Sequence, residues 1–165
     1  MILAPLLAMT LVLAACAPAS QKVAGFRKTE TPIWSAAAFA PGQIVGDWRQ
    51  VAAHAARPDG CAAGGLTITP TGAGLRLDGT LCLNGQTQRI ATTARPIGPG
   101  RLAVEGMEDW WILWVDSGYR TLAIGTPSGR FGFVLDRGAP APDRLAAARE
   151  LFDFNGYIPA AFRPL

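Results

Sequence analysis

The sequence predicts an all-β protein, an eight-stranded antiparallel up-and-down barrel with a single helix after the last strand. Three observations carry that prediction. Residues 109–137 hold three short runs rich in β-branched and aromatic residues, divided by Asp116-Ser117-Gly118 and by Thr126-Pro127-Ser128-Gly129. Turn residues between such runs mark consecutive hairpins, and no run has the ten or more residues a helix wants. Five further strand-like runs lie upstream, joined by equally short links. Nearest-neighbour strands of similar length are best satisfied by closure, which removes exposed edges. A two-sheet sandwich would want longer crossover connections.

The chain has 165 residues, enough for one domain with a real core. It is 50% hydrophobic and 16% charged, which argues against disorder. The formal charge is +3, and the 15 Lys and Arg are scattered singly, so nucleic acid is not an expected partner.

Residues 1–15 are apolar and uncharged, too short for a bilayer span of roughly 20 residues and of the length of a signal-peptide core. They end in Leu13-Ala14-Ala15-Cys16, which resembles the lipobox of bacterial lipoproteins. That resemblance implies cleavage before Cys16 and lipid attachment to it, hence permanent membrane anchoring. Ala17 stands where an inner-membrane retention signal would place Asp, which favours the periplasmic face of the outer membrane. Residues 16–43 then read as a lipid-anchored tether. Its Phe26, Ile33, Trp34 and Phe39 are too apolar for a wholly solvated linker, and a short turn of helix is expected around 35–39.

The barrel domain is expected over residues 44–165, with strands at about 46–53, 64–70, 74–83, 87–94, 100–105, 110–116, 119–125 and 130–136. Asn84-Gly85 is the strongest hairpin signal among the links. After Pro140-Ala141-Pro142, residues 143–152 carry Asp in the first turn and Ala through the middle, which favours a helix. Leu145, Ala148 and Phe152 share one face for packing on the barrel wall, and Asn155-Gly156 ends the helix.

With Cys16 assigned to lipid, Cys61 and Cys82 remain. An exported chain with two cysteines suggests one disulfide. Folding the chain back at 70–74 brings Cys61 within about two residues of facing Cys82, and a loop of that length contributes roughly 3 kcal/mol.

Gly46-x-Trp48 at the head of the first strand, Asp116 with Tyr119 between strands six and seven, and Arg137 after strand eight resemble the three signature regions of the lipocalins. The likeness is best to the bacterial lipocalins, outer-membrane lipoproteins similar to apolipoprotein D. It covers about 44–165, well over 110–137 and poorly over 54–105. It implies a Trp48 plug at the closed end of the barrel with the Arg137 guanidinium over its indole. It also implies a lid connection after Val51, here shortened to 52–60. In physical terms a buried indole fills up to ~250 Å², and a desolvated guanidinium above it adds about 1–2 kcal/mol.

Nothing in the sequence points to an enzyme. His54 is the single histidine, so neither a multi-histidine metal site nor a hydrolase triad with a spare base is expected, and its loop-like neighbours suggest a solvated surface residue. Neither a cofactor nor a metal is expected. The reading that follows is a lipid-anchored carrier of a small apolar or amphiphilic ligand, a fatty acid such as palmitate or a lysophospholipid. Trp110, Trp111, Trp114, Phe131 and Phe133 are the candidates to line its cavity, with Arg120 as the cation at the mouth. Strand alternation puts some of these inward and some outward, and parity is open at this point. The alternatives are a protein-binding barrel similar to periplasmic metalloprotease inhibitors, to which the Cys61–Cys82 pair is better suited, and a structural envelope lipoprotein.

Overall fold

A computed structural model describes residues 25–57 and 60–165. The expected signal peptide, Cys16 and the first part of the expected tether lie outside these residues. Eight strands run in sequence: β1 (Gly46–His54), β2 (Gly65–Thr71), β3 (Gly74–Leu83), β4 (Gln86–Gly98), β5 (Arg101–Val104), β6 (Trp110–Val115), β7 (Thr121–Gly125) and β8 (Gly132–Asp136). Each pairs antiparallel with the next, and β1 pairs with both β2 and β8, closing the barrel. The helix α1 (Pro142–Phe154) follows, and a short β9 (Phe162–Pro164) adds to the upper half of β1. The expected fold class is therefore the observed one. The tail after α1 is more structured than the extended piece its sequence suggests, because its 3-10 turn at Pro159–Ala161 delivers β9 to a strand with free hydrogen-bonding groups.

Turn chemistry sets the hairpins. Asn84 and Gly85 both adopt positive φ, 53° and 70°, the two-residue geometry whose twist matches the flanking strands. Two bulges matter more. The β1–β8 register shifts between Gln50 and Ala52, and the β6–β7 register shifts between Ile112 and Trp114. Each inserts one residue and reverses the inward and outward faces beyond it.

The closed end is capped by a 3-10 turn at Pro41–Ile44, just after the expected turn at 35–39, where the Phe39 N–H donates to the Ala36 carbonyl at 3.2 Å. Residues 25–40 form a strap down the outside of the barrel. Arg27 pins its start: the guanidinium donates to the carbonyls of Asn155 (2.7 Å), Pro127 (2.8 Å) and Thr31. At the far end the Ala40 N–H donates to the Tyr119 hydroxyl (2.8 Å). Phe26 and Phe39 are buried and Trp34 is exposed.

Candidate ligand site

Two buried clusters lie on opposite sides of the sheet. Inside the barrel, Trp48, Leu66, Ile68, Leu77, Leu81, Ile90, Leu102, Trp110, Ile112, Leu122, Ile124, Phe133 and Leu135 are all at most 3% exposed. Outside, Val51, Ala52, Leu113, Ala123 and Val134 meet Phe26, Ala148, Phe152, Tyr157 and Phe162 from the strap, α1 and tail. Leu145 packs against the same cluster, so the three helix residues expected on one face do meet the wall.

The bulges decide the parity of the candidate residues. On β6, Trp110 and Ile112 point inward, but the extra residue at the bulge sends both Leu113 and Trp114 outward and returns Val115 to the interior. Trp111 is also outside, with the Arg101 guanidinium 4.4 Å above its ring. Thus Trp110, Phe131 and Phe133 form an internal series, with centroids 5.1 Å apart for Trp110–Phe133 and 6.1 Å for Phe131–Phe133. Trp111 and Trp114 do not line the interior. Uninterrupted alternation would have kept Trp114 with Trp110, and no residue in the run announces the bulge.

Arg120 is likewise away from the mouth. It lies at the closed end, where its Nε donates to the Asp116 carboxylate at 3.2 Å. The burial of Asp116 pushes its pKa up, but N–H donation from Thr121, Arg120 and Gly118 together with the Arg120 side chain outweighs that and holds it below the usual range. The arginine that lines the open-end cleft is Arg130, which follows the β7–β8 turn and is not among the residues the sequence singles out.

The open end carries a cleft of about 170 Å³ bounded by Asn84, Gln86, Gln88, Met107, Arg130 and Phe131. Phe131 lines it and begins the aromatic series Phe131, Phe133 and Trp110. At the other end of that series the Trp110 indole is 1% exposed, and its N–H has no hydrogen-bond partner among the described residues. Buried donors are normally satisfied, so this N–H is an exception in an otherwise apolar interior. A larger trough of about 440 Å³ lies outside the wall beside Thr93, Arg95 and Glu105, remote from this interior.

The lid is fastened. Cys61 and Cys82 form the expected disulfide, with Cα atoms 5.7 Å apart. The connection it holds spans 55–64 rather than 52–60, because β1 runs on to His54. Beside it the Gln50 amide bridges to the Cys82 main chain, donating to its carbonyl at 2.8 Å and accepting from its N–H at 2.7 Å.

His54 departs most from expectation. It is fully buried rather than solvated, because the β1 bulge turns it outward beneath α1. Phe152, Tyr157, Phe162 and Phe26 surround its ring with centroids 4.6, 4.8, 5.5 and 6.1 Å away. Burial lowers its pKa from 6.5 to about 4, slightly opposed by the Gly132 main chain, whose approach falls short of a well-formed hydrogen bond. A buried neutral imidazole with neither nitrogen hydrogen-bonded is not placed to act as a base.

At the closed end the Trp48 indole N–H donates to the Ile44 carbonyl at 2.8 Å, and the Arg137 guanidinium lies 4.2 Å over the ring. Arg137 also donates to the carbonyls of Tyr119, Gln43 and Val45 at 2.8–3.0 Å. Gly46 is required there: its φ is +118°, and a Cβ would come within 2.9 Å of Arg137 Nη1. A closed eight-stranded up-and-down barrel, plugged by Trp48 under Arg137 and flanked by a C-terminal helix, is a lipocalin-type barrel.

Solved structures agree on the fold. The chain is similar to lobster apocrustacyanin A1, with a TM-score of 0.53 and 15% identity over 74% of this chain and 77% of that one. It is similar to apocrustacyanin C1 at the same TM-score and identity, over 74% of this chain and 76% of that one. No family model matches the sequence, and a search of curated proteins finds no relative.

Proposed function

We propose that this chain is a bacterial lipid-anchored lipocalin that carries a single-chain amphiphile, a fatty acid or lysophospholipid, at the periplasmic face of the outer membrane. The lipobox-like Leu13-Ala14-Ala15-Cys16 supports the anchor and the location. The observation that carries the binding reading is the internal apolar series Phe131, Phe133 and Trp110, which opens on the mouth cleft. The ligand's polar end meets Arg130 and the Gln86 and Gln88 amides at the rim, and its chain displaces Phe131 toward Trp110. The cleft is smaller than the roughly 300 Å³ of an ordinary ligand pocket, so binding requires these rings to move.

The test uses the chain from residue 16 with Cys16→Ser; every contact described above lies within residues 25–165, so this removes none of them. Titration with palmitate and with a lysophospholipid should give a saturable change in tryptophan emission at micromolar or lower concentration, most of it lost in Trp110→Phe. A folded protein whose emission does not change has a permanently filled barrel. The fastened lid and packed interior would then favour the protein-binding reading, in which the rigid rim is the contact surface.

A further inference from the structure

The two most exposed large apolar side chains among the described residues belong to neighbouring elements of the outer wall. Trp34 in the strap is 61% exposed, and Phe154 at the end of α1 is 66% exposed. The Trp34 N–H donates to Asn155 Oδ1 at 2.6 Å, which sets the strap beside the last turn of the helix. Ile158, also exposed, follows on the tail, where its N–H donates to the Phe26 carbonyl at 2.8 Å. Single exposed apolar residues are ordinary, but a group of them at one place marks a contact surface.

The elements around them are apolar too. At about 100° per residue, with Ala148 and Phe152 turned to the barrel, Ala147, Leu151 and Phe154 form a row along one flank of α1. Leu145 and Arg149 occupy the other flank, beside the tail, so the row lies on the strap side. On β6 the outward Trp111 and Trp114 are only half-buried against the outer cluster, as is Ile33 of the strap. Trp34, Trp111 and Trp114, three of the five tryptophans, therefore lie on the outer wall. An indole, apolar in body with one polar N–H, is favoured at the boundary between lipid headgroups and acyl chains.

The chain joins the barrel beside this face. The Phe26 N–H donates to the Gly129 carbonyl at 2.6 Å, and the Lys28 N–H donates to the Gly156 carbonyl at 2.9 Å. Gly25 is nine residues from Cys16, a reach of at most about 30 Å for an extended chain. Residues 17–24 contain Val23 as their single large apolar side chain, too little to bury Trp34 and Phe154. Lys28 and Asp153 border the hollow next to Ile158, so charge there offsets and the attraction is apolar.

We infer that the strap–α1 face, led by Trp34, Phe154 and Ile158, seats the barrel on the bilayer that holds Cys16, an assignment that rests on the lipid-anchor reading. Burial of these side chains at the headgroup boundary supplies the attraction, and the short tether keeps the face within reach of it. Seated this way the barrel holds its mouth near the membrane, since Arg130 and Phe131 follow directly on Gly129.

The test couples the Cys16 thiol of the chain from residue 16 to a maleimide lipid in phosphatidylcholine vesicles with dibrominated acyl chains. Supplying the anchor chemically separates this face from the anchor reading, which acylation of Cys16 in cells tests on its own. Bromine quenches a tryptophan that reaches the acyl boundary. Emission of the native sequence should be quenched relative to unbrominated vesicles, and Trp34→Phe should remove most of that quenching. Phe154→Glu, at an exposed position, should reduce it about twofold or more, while Thr69→Glu on the opposite wall should leave it unchanged. Quenching should persist in about 1 M salt, where charges more than ~3 Å apart are screened. Unchanged circular dichroism establishes that the variants are folded. Absence of quenching in the coupled native protein, or equal quenching in Phe154→Glu, would overturn the assignment. So would quenching that survives Trp34→Phe but not Trp110→Phe, which marks lipid entering the lumen. A concentration-dependent dimer lost in Phe154→Glu, without quenching, would give the face to a second copy of the chain instead.

Discussion

The two halves of the barrel wall solve different problems. Strands β6, β7, β8 and the upper part of β1 are covered on the outside by α1, the strap and the tail, and every residue of β7 and β8 is buried. Strands β2 to β5 face solvent on the outside, and from Gln88 to Ala94 β4 alternates wholly or partly buried residues with exposed ones. A strand buried on both faces reads as a continuous apolar run, one buried on a single face as an alternation. Covering one half lets a small barrel gain a second core without widening its lumen. It also explains why the lipocalin resemblance is concentrated in 110–137. There most strand side chains are buried on one face or the other, whereas most outward positions of 64–105 are exposed.

The sharpest way to break that comparison is to remove one ring from the covered side. Phe152→Ala should cost about 3–5 kcal/mol in urea unfolding, the range for a buried aromatic truncated to Ala. Thr69→Ala, an outward position on the bare half, should stay within about 0.5 kcal/mol. A small loss at Phe152 would mean that α1 merely rests on a barrel stable without it.

Strand order, most hairpin positions, the helix and its buried face, and the disulfide partners were legible because each leaves a local signal: turn residues, apolar period, cysteine spacing. The plug was legible because Gly46, Trp48 and Arg137 are chemically distinctive. The candidate site was legible only in part. Its residue types were readable, but their direction depended on two bulges, and a bulge is fixed by strand pairing across the sheet rather than by the residues at it. One inserted residue moved Trp114 out of the lumen, and another moved His54 into the outer core. Arg120 and Arg130 both follow turns, and only alternation of strand direction, counted from the closed end, separates them.

His54 offers a second test, because it is the titratable group buried in the covered half with no partner. Its pKa falls from 6.5 to about 4 on folding, so between those values the unfolded chain binds the extra proton. Stability from this group is full above pH 6.5 and declines as pH falls toward 4, by about 3 kcal/mol in total. Tyr157 beside it stays neutral throughout, its pKa pushed up by burial to about 12. Carboxylates titrate in the same window, so the measurement is a difference: unfolding free energy at pH 7 minus that at pH 4.5, for the native sequence and for His54→Leu. The leucine protein should lose most of the extra slope. Equal slopes would place His54 in a wetter setting, and the second core would be looser than its burial indicates.

The smallest effect tests the closed end, where the two halves join. Arg137 touches the plug through the Trp48 ring and holds three carbonyls, from the strap side and from the β6–β7 turn. Arg137→Gln should cost about 2 kcal/mol, roughly half from the cation–π contact and half from hydrogen bonds. Arg137→Lys keeps the charge but loses the planar fork, so it should recover less than half of that loss. Gly46→Ala costs stability for two reasons, its positive φ and the collision with Arg137 Nη1, and only the second vanishes when the guanidinium is gone. The two substitutions should therefore be less than additive, by about 1 kcal/mol in a double-mutant cycle. Additive losses would show that the glycine serves backbone conformation alone, and that the arginine is a lid on the plug rather than a part fitted against it.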